Sequence, residues 1–164
     1  MKVVWVTGLP GSGKTTFSRN FRSYLRDLGV NTVLLDGDEL RAAFNHRFGY
    51  TRDERIEASK IYINIAKLIA TQDNVVIVST VSLFDEVFAY LHTEIPSVKV
   101  VFIDADSNLL DSRNQKQLRS SGAKSVPGIS LKVDFPSNPT FRLSGTENRD
   151  ELNLIFTELR GFVS

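Results

Sequence analysis

The stretch with the clearest chemistry is GLPGSGKT, residues 8–15, which directly follows the apolar run VVWV. It fits the pattern G-x-x-x-x-G-K-[ST], whose glycines let the backbone turn sharply so that successive N–H groups converge on phosphate oxygens. A helix that begins after the loop would add its own free N–H groups and its dipole. We therefore predict a nucleoside triphosphate site, with Lys14 reaching the β- and γ-phosphates and the Thr15 hydroxyl binding Mg²⁺. Its predicted residues are Gly8, Pro10, Gly11, Ser12, Gly13, Lys14, Thr15 and Thr16.

A second chemical signal is LLDGDELR, residues 34–41, in which an apolar run ends at Asp36 and a helix begins near Asp38. Carboxylates at the C-terminal edge of a parallel sheet face the crevice where ligands bind. Asp38 could therefore orient or deprotonate an attacking hydroxyl, or hold Mg²⁺. Asp38 could equally be the N-cap of the helix, or serve both purposes. Arg41, one turn later, could clamp an anion through two hydrogen bonds.

The elements that must position these residues alternate along the chain. Apolar runs rich in valine and isoleucine, without polar alternation, predict strands buried on both faces. Strands that alternate with helices indicate parallel pairing, so we predict an α/β fold, a three-layer sandwich with a central parallel sheet. The predicted strands are Val3–Val6, Thr32–Leu35, Val75–Val78 and Val98–Ile103, and the predicted helices are Thr15–Leu28, Asp53–Thr71, Phe84–Glu94, Ser107–Leu118 and Glu147–Leu159.

The length of 164 residues predicts a single domain over 1–164. Between the last two predicted helices, SSGAKSVPGISLKVDFPSNPT contains two glycines, three prolines and little helical periodicity. Long loops in compact domains are usually functional or disordered, and this stretch reads as a long ordered loop at about residues 116–139.

Charge and composition exclude several classes of function. The net charge is +1, which argues against a nucleic-acid or acidic-membrane partner. The absence of cysteine excludes disulfides, zinc–thiolate sites and thiol nucleophiles. No apolar run approaches the roughly 18 residues that a membrane span needs. These features predict a cytoplasmic protein that acts on a small molecule.

With both motifs in place, the chain resembles the adenylylsulfate kinase family of P-loop kinases. The resemblance rests on GLPGSGKTT, LLDGDELR, FGYTRDER (residues 48–55), VVIVSTVS (residues 75–82) and the later run R-N-Q-K with its glycine–proline loop. The combination of DGD-x-x-R with FGYTRDER is much more specific than the P-loop alone. The resemblance implies a kinase that uses ATP and Mg²⁺ to phosphorylate the ribose 3′-hydroxyl of adenylyl sulfate.

Several acceptor-binding roles follow from this resemblance. Asp38 corresponds to the family's catalytic base or metal-associated carboxylate. Arg41 and Arg55 correspond to arginines that hold the anionic tail of the acceptor. Tyr50 takes the place of an aromatic residue that stacks on the acceptor's base, for which a flat amphipathic ring is suited. Ser82 falls where some relatives carry a serine that can be phosphorylated, although a polar cap for the helix from Leu83 is an alternative reading.

The resemblance also implies that the loop at about residues 116–139 is a lid, which would exclude water and complete the site on closing, and it assigns residues to this lid. Arg113 is expected near the base of ATP and Lys116 near the phosphates. Val126 stands where adenylyl sulfate kinases supply a phenylalanine that sandwiches the adenine. Two further departures affect the acceptor pocket, because Ala58 replaces an asparagine and Asp85 replaces an arginine. The SLFDE stretch and the lid sequence resemble a branch of the family found with surface-polysaccharide genes, in which cytidine diphosphoramidate is an acceptor.

The sequence thus predicts transfer of the γ-phosphoryl group of ATP to the ribose 3′-hydroxyl of a nucleotide, adenylyl sulfate by family resemblance. Cytidine diphosphoramidate, in surface-polysaccharide biosynthesis, is the alternative acceptor. A different class, an NTP-binding regulatory ATPase without a small acceptor, also stays open. A guanine-specific switch would need N-K-x-D, and the nearest run is Asn114-Gln-Lys-Gln. Because relatives are often dimers, a homodimer is a further expectation.

Overall fold

The fold is built on one parallel sheet. The computed structural model describes residues 1–113, 127–128 and 130–163. Every pairing between its strands is parallel. If the strands are numbered by their place in the chain, their order across the sheet is second, third, first, fourth, fifth. This arrangement confirms the predicted α/β fold with a central parallel sheet. The strands are β1 (Lys2–Gly8), β2 (Thr32–Asp36), β3 (Val75–Ser79), β4 (Lys99–Ile103) and β5 (Phe141–Leu143).

Helices cover both faces of the sheet. Two of the predicted helices differ from the observed ones by one residue at both ends, and a third differs by one residue at its start. The last observed helix begins two residues and ends four residues after the predicted bounds. Residues 107–113 are helical, while residues 114–118 of the same predicted helix lie outside the described residues. Within the described ranges, no helix has the length and apolar character needed to cross a bilayer. The helices are α1 (Lys14–Asp27), α2 (Gly37–Ala43), α3 (Arg52–Ala70), α4 (Asp85–Glu94) and α5 (Arg149–Val163).

The central strand β1 shows why the strands lack polar alternation. Val3 and Trp5 point into a core formed with α3 and α4, whereas Val4 and Val6 point into a core formed with α1 and α5. All four side chains are completely buried. Burying an apolar side chain of this size contributes about 1.5–3 kcal/mol, so both layers fix the strand in place. The loop that follows β1 is therefore anchored at its start by the centre of the molecule.

Aromatic packing holds α1 in place, and the N-terminus of α1 directly follows the loop after β1. The ring of Phe156 on α5 lies 5.4 Å from the ring of Phe17 and 5.2 Å from that of Phe21. Such contacts contribute roughly 0.5–1.5 kcal/mol beyond the burial of area. Since Phe17 is one turn from Lys14, the packing fixes the direction in which the helix presents its first residues to the sheet edge.

The strand β5 was not predicted, because its surroundings read as loop. It has three residues, and it pairs only with β4, where Val101 lies beside Phe141 and Ile103 beside Leu143. Three residues that alternate between half-buried, exposed and buried positions carry too little pattern to distinguish a strand from a loop. Of the predicted lid at 116–139, residues 116–126 and 129 lie outside the described residues.

Candidate active site

A cleft of about 1240 Å³ lies along the carboxyl edge of the sheet. The segments that line it include the loop between β1 and α1, the end of β2 with α2, the residues after β3, one face of α3, and Arg113 with the segment after β5. This is the position at which open parallel sheets bind ligands. Of the predicted phosphate-binding residues, those from Pro10 to Thr16 line the cleft, whereas Gly8 lies beneath the loop at the end of β1.

Two glycines of the loop are required by its geometry. A Cβ atom on Gly8 would lie 2.5 Å from the carbonyl oxygen of Ile103 and 2.6 Å from the Ser12 hydroxyl, closer than real Cβ atoms approach. Gly13 has a φ of 104° and occupies the N-cap position of α1. L-residues rarely adopt that conformation, so glycine alone fits there without strain. Gly8 lets the backbone pass close to β4, and Gly13 lets the chain change direction where α1 begins.

Lys14 is the cation at the centre of the loop. Its Nζ donates a hydrogen bond of 2.8 Å to the carbonyl oxygen of Leu9, within the same loop. Burial lowers the pKa of the ammonium to about 8, and the negative charges of Asp38 and Asp36 offset part of that shift. Among the described residues, this half-buried cation has one hydrogen-bond partner, an uncharged carbonyl, so its charge is only partly compensated. An anionic phosphate at this position would supply the missing charge.

This pKa predicts that ATP binding depends on pH. Below about pH 8 the Lys14 ammonium is protonated and ready for the phosphates, and above it the free protein loses that charge. Since bound triphosphate favours the ammonium, binding should take up a proton at pH 9, and the affinity should fall by up to about tenfold per pH unit above 8. Titration calorimetry at pH 7 and 9, in buffers of different ionisation enthalpy, measures both effects. Lys14→Arg should remove the pH dependence, whereas equal affinity and no proton uptake in the wild type would contradict this account.

The carboxylates that follow β2 have different local roles. Asp36 is buried, and it caps α2 by accepting a hydrogen bond of 3.0 Å from the backbone N–H of Asp38. The other carboxylate oxygen of Asp36 accepts a hydrogen bond of 3.0 Å from the Thr15 hydroxyl. The reading of Asp38 as the N-cap is therefore wrong, because the cap is two residues earlier. Asp38 itself is exposed, and its side chain lines the cleft.

These oxygens fit a Mg²⁺ ion. Magnesium in phosphoryl-transfer enzymes is commonly held by one or two carboxylates together with waters and substrate phosphates. Thr15, Asp36 and Asp38 bring a hydroxyl and two carboxylates to the same edge of the sheet as the phosphate loop. Among the described residues there is no cluster of three or more carboxylate, histidine or cysteine ligands, so the phosphates of a nucleotide would have to complete the set.

A pair of arginines brings further positive charge to the cleft. The guanidinium groups of Arg41 and Arg55 lie 4.6 and 5.2 Å from the centre of the Tyr50 ring. Arg41 also donates hydrogen bonds to the carbonyl oxygens of Phe48 and Gly49. Burial lowers the pKa of Arg55, and the nearby charge of Arg41 lowers it further. Two cations held this close together favour an anionic ligand.

Ser82 does not cap a helix. The N-cap of α4 is Phe84, two residues later, so the alternative reading of Ser82 as the cap is wrong. Ser82 is instead buried, and its hydroxyl lies 2.6 Å from that of Ser59 and 2.9 Å from that of Thr80. Its φ of 29° is in the left-handed region, which costs a non-glycine residue roughly 1–2 kcal/mol. The two hydrogen bonds hold the residue in that conformation on the wall of the cleft.

Arg113 joins the phosphate loop to the segment after β5. Its guanidinium donates to the carbonyl oxygens of Gly11 and Ser12, both at 3.2 Å, and to that of Gly145 at 3.1 Å. The side chain thus lies beside the phosphate loop on the cleft, and its place near the base of ATP stays a prediction. The other two predicted lid residues, Lys116 and Val126, lie outside the described residues.

Sequence reasoning missed several residues on the cleft wall. The sequence predicts Asp36 only as the end of an apolar run. The first carboxylate of D-G-D could have indicated its role, which is to cap α2 and to bind the Thr15 hydroxyl. Tyr62 lies seven residues after Arg55, on the same face of α3, a spacing that places both on the cleft. Thr80 gave no signal of its own. The missed residues that line the cleft include Asp36, Ser59, Tyr62, Ser79 and Thr80.

Comparison with known proteins fits this geometry. The family model described as adenylylsulphate kinase matches residues 1–144. The chain belongs to the adenylylsulphate kinase family. The kinase is 33% identical, over 82% of its chain and 81% of the relative, to the cytidine diphosphoramidate kinase of Campylobacter jejuni. It is 31% identical, over 94% of its chain and 88% of the relative, to a probable adenylyl-sulfate kinase of Aeropyrum pernix.

A solved structure extends the comparison to three dimensions. The APS kinase of Mycobacterium tuberculosis in complex with AMPPNP and APS superposes with a TM-score of 0.87 at 26% identity, covering 99% of this kinase and 96% of that chain. Family members use ATP as the phosphate donor. This kinase is therefore an ATP-dependent phosphotransferase with an alcohol group as acceptor, and the family supports a small nucleotide-type molecule as that acceptor.

Proposed function

We propose that this kinase transfers the γ-phosphoryl group of ATP to the ribose 3′-hydroxyl of a nucleotide that carries a second anionic group. One observation carries the proposal. The phosphate loop with Lys14 and the arginine pair Arg41 and Arg55 line one cleft, and Asp38 lies on the same wall. A donor triphosphate at the loop and an anionic acceptor tail at the arginines would present the acceptor's ribose to Asp38.

In this proposal, some side chains act on the donor phosphates and others on the acceptor. Lys14 would neutralise charge that develops on the transferred phosphoryl group, and Asp38 would align the acceptor hydroxyl and accept its proton. Tyr50, with 55% of its surface exposed, would offer its ring to the acceptor's base. Arg113 would keep the phosphate loop in shape through its three carbonyl contacts. Catalysis in such sites comes from positioning and from charge stabilisation.

Thr15 and Asp38 are the residues that we propose to hold Mg²⁺, with Asp36 orienting the Thr15 hydroxyl. When bound, the ion would neutralise negative charge on the phosphates of the nucleotide. Asp36 itself stays fixed in this scheme, because its two oxygens are already engaged by the Asp38 N–H and the Thr15 hydroxyl.

Two acceptors are candidates for the kinase. Adenylyl sulfate follows from the family and from the Aeropyrum and Mycobacterium relatives. Cytidine diphosphoramidate follows from the Campylobacter relative, which would connect the kinase to surface-polysaccharide biosynthesis. Ala58 on the cleft wall weakens the case for the first candidate, since adenylyl sulfate kinases usually have an asparagine at that position. Both acceptors combine a ribose hydroxyl with a two-group anionic tail, so the same catalytic residues serve either.

The proposal predicts that ATP turnover requires an acceptor. Release of ADP should be slow with MgATP alone, and it should increase by at least about a hundredfold when the correct acceptor is added, because the acceptor completes the reacting pair. A coupled assay for ADP, with adenylyl sulfate and cytidine diphosphoramidate offered separately, measures this. Cytidine monophosphate, which has the ribose but lacks the second group, is the matched control and should give little turnover.

The same ADP assay distinguishes this kinase function from the alternative of a regulatory ATPase without a small acceptor. Turnover that is equally fast with and without either compound would contradict a small-molecule kinase and favour an ATPase of regulatory type. The homodimer expectation stays a prediction, which light scattering during size-exclusion chromatography would test directly.

A further inference from the structure

Four hydroxyl groups form a polar wall beside the arginine pair, and the mechanism above does not use them. Ser59 and Tyr62 come from α3, and Thr80 and Ser82 follow β3. All four residues are more than nine-tenths buried, and all four line the cleft. We call this set the hydroxyl wall. None of the four carries a formal charge at neutral pH, unlike the arginines next to them.

Three of these hydroxyls form a chain whose direction can be assigned. The Ser59 hydroxyl donates to the carbonyl oxygen of Arg55 at 2.7 Å, and a carbonyl can only accept. Because each hydroxyl has one proton, the 2.6 Å contact between Ser59 and Ser82 has Ser82 as its donor. The 2.9 Å contact between Ser82 and Thr80 then has Thr80 as its donor.

All three protons of the chain are therefore used inside the protein. Toward the cleft, Thr80, Ser82 and Ser59 can offer lone pairs and no proton. A sulfate group has oxygens that accept hydrogen bonds and no hydrogen to donate, so it gains nothing from this chain. A terminal amide nitrogen, with two N–H groups, is the complementary partner.

Tyr62 supplies a separate signal for a ligand. Its hydroxyl is buried and has no hydrogen-bond partner within the described part of the chain. Buried polar atoms are nearly always paired in native proteins, so an unpaired one on a cleft wall indicates a group that a ligand satisfies. The charges of Arg41 and Asp38 both act on this phenol, which places it close to the expected acceptor tail.

We propose that the hydroxyl wall is a subsite for the N–H-bearing terminal group of the acceptor, and that it selects a phosphoramidate over a sulfate. This inference rests on the proposed function and specifies its substrate class. The terminal phosphoramidate would place its oxygens toward Arg41 and Arg55 and its N–H groups toward Thr80, Ser82 and Tyr62. Phosphoramidate and sulfate tails have the same charge, so the arginines alone could not distinguish them.

The test compares acceptors that differ only in the terminal group. Adenylyl sulfate and adenosine 5′-diphosphoramidate form one pair, and cytidine 5′-phosphosulfate and cytidine diphosphoramidate form another. The wild type should show at least about a tenfold higher kcat/KM for the phosphoramidate of each pair, corresponding to one or two hydrogen bonds. Ser82→Ala breaks the chain and frees the Thr80 proton, so this preference should fall by about tenfold.

Tyr62→Phe tests the unpaired hydroxyl. It should raise KM for the phosphoramidate about tenfold and leave KM for ATP unchanged, while Tm stays equal or rises because no hydrogen bond is lost. Tyr90→Phe is the matched control: its hydroxyl donates to Asn64 at 3.0 Å, and the residue does not line the cleft. That variant should leave both KM values unchanged.

Several results would contradict the proposed subsite without contradicting the proposed function. Equal kcat/KM for both members of a pair, an unchanged preference in Ser82→Ala, or an unchanged acceptor KM in Tyr62→Phe would each do so. A Tm lowered by several degrees in Tyr62→Phe would also do so, because it would mean that the hydroxyl is bonded within the fold. Absence of wild-type turnover with all four compounds would contradict the proposed function, and the subsite with it.

Discussion

Lys14→Ala should lower the rate of phosphoryl transfer by about a thousandfold, which corresponds to about 4 kcal/mol of transition-state stabilisation. The ammonium lies within the loop whose backbone would surround the phosphates, and within the described part of the chain its hydrogen-bond partner is the carbonyl oxygen of Leu9. Lys14 is therefore free to exchange that contact for the phosphates when ATP binds. Single-turnover measurement of ADP formation, at saturating ATP and acceptor, tests the effect on the chemical step.

The fold should survive this substitution. Removing the ammonium also removes a half-buried charge that the described residues compensate only partly, as its lowered pKa shows. We expect an unchanged circular dichroism spectrum and a Tm that is not reduced. Lys2→Ala, at the exposed opposite end of β1, is the matched control and should keep full activity. Near-normal turnover in Lys14→Ala would contradict the role of this residue.

Asp38→Asn should lower kcat by about 10²–10⁴-fold, the range for loss of a general base. The substitution keeps the size of the side chain and removes its charge and its ability to accept a proton. It also leaves the local fold intact, because the α2 cap uses the side chain of Asp36 and only the backbone N–H of Asp38. Rapid-quench measurement of the phosphorylated acceptor separates this effect from weaker binding.

The KM values for the acceptor and for MgATP serve as the control for the Asp38→Asn prediction. If Asp38 acts on the acceptor hydroxyl, the KM for the acceptor should change much less than kcat. Asp73→Asn is a matched control, since Asp73 is exposed and has a φ of 56°, which asparagine also tolerates. A loss confined to MgATP affinity, with normal kcat at saturation, would show that Asp38 serves the metal and not the acceptor.

The phosphate loop and the residues after β2 could be predicted from the sequence because their chemistry is local. Gly8 and Lys14 are six residues apart, so one backbone turn determines where both lie. The same holds for Asp36 and Asp38, although the sequence could not show which of them caps α2. That choice depends on Asp36 being buried beside Thr15, a contact between residues 21 positions apart.

The hydroxyl wall could not be predicted, because packing between distant elements creates it. Ser59 and Ser82 are 23 residues apart, and their hydroxyls meet because α3 packs beside the end of β3. In the sequence Ser82 has the features of a cap, being a polar residue just before a helix. The backbone turns at Ser82 with a positive φ, so the helix begins two residues later than a cap there requires. Tyr62 has the pattern of a core residue, and its unpaired hydroxyl becomes visible only in three dimensions.

The central claim is that the phosphate of ATP moves to the ribose 3′-hydroxyl of a nucleotide. Phosphorus NMR of the complete reaction, with MgATP and each acceptor in turn, tests it most directly. The account predicts a new phosphomonoester resonance that couples to the ribose 3′ proton, formed in equal amount to ADP. Inorganic phosphate as the sole new product, or a phosphoryl group on the terminal anionic group, would contradict it.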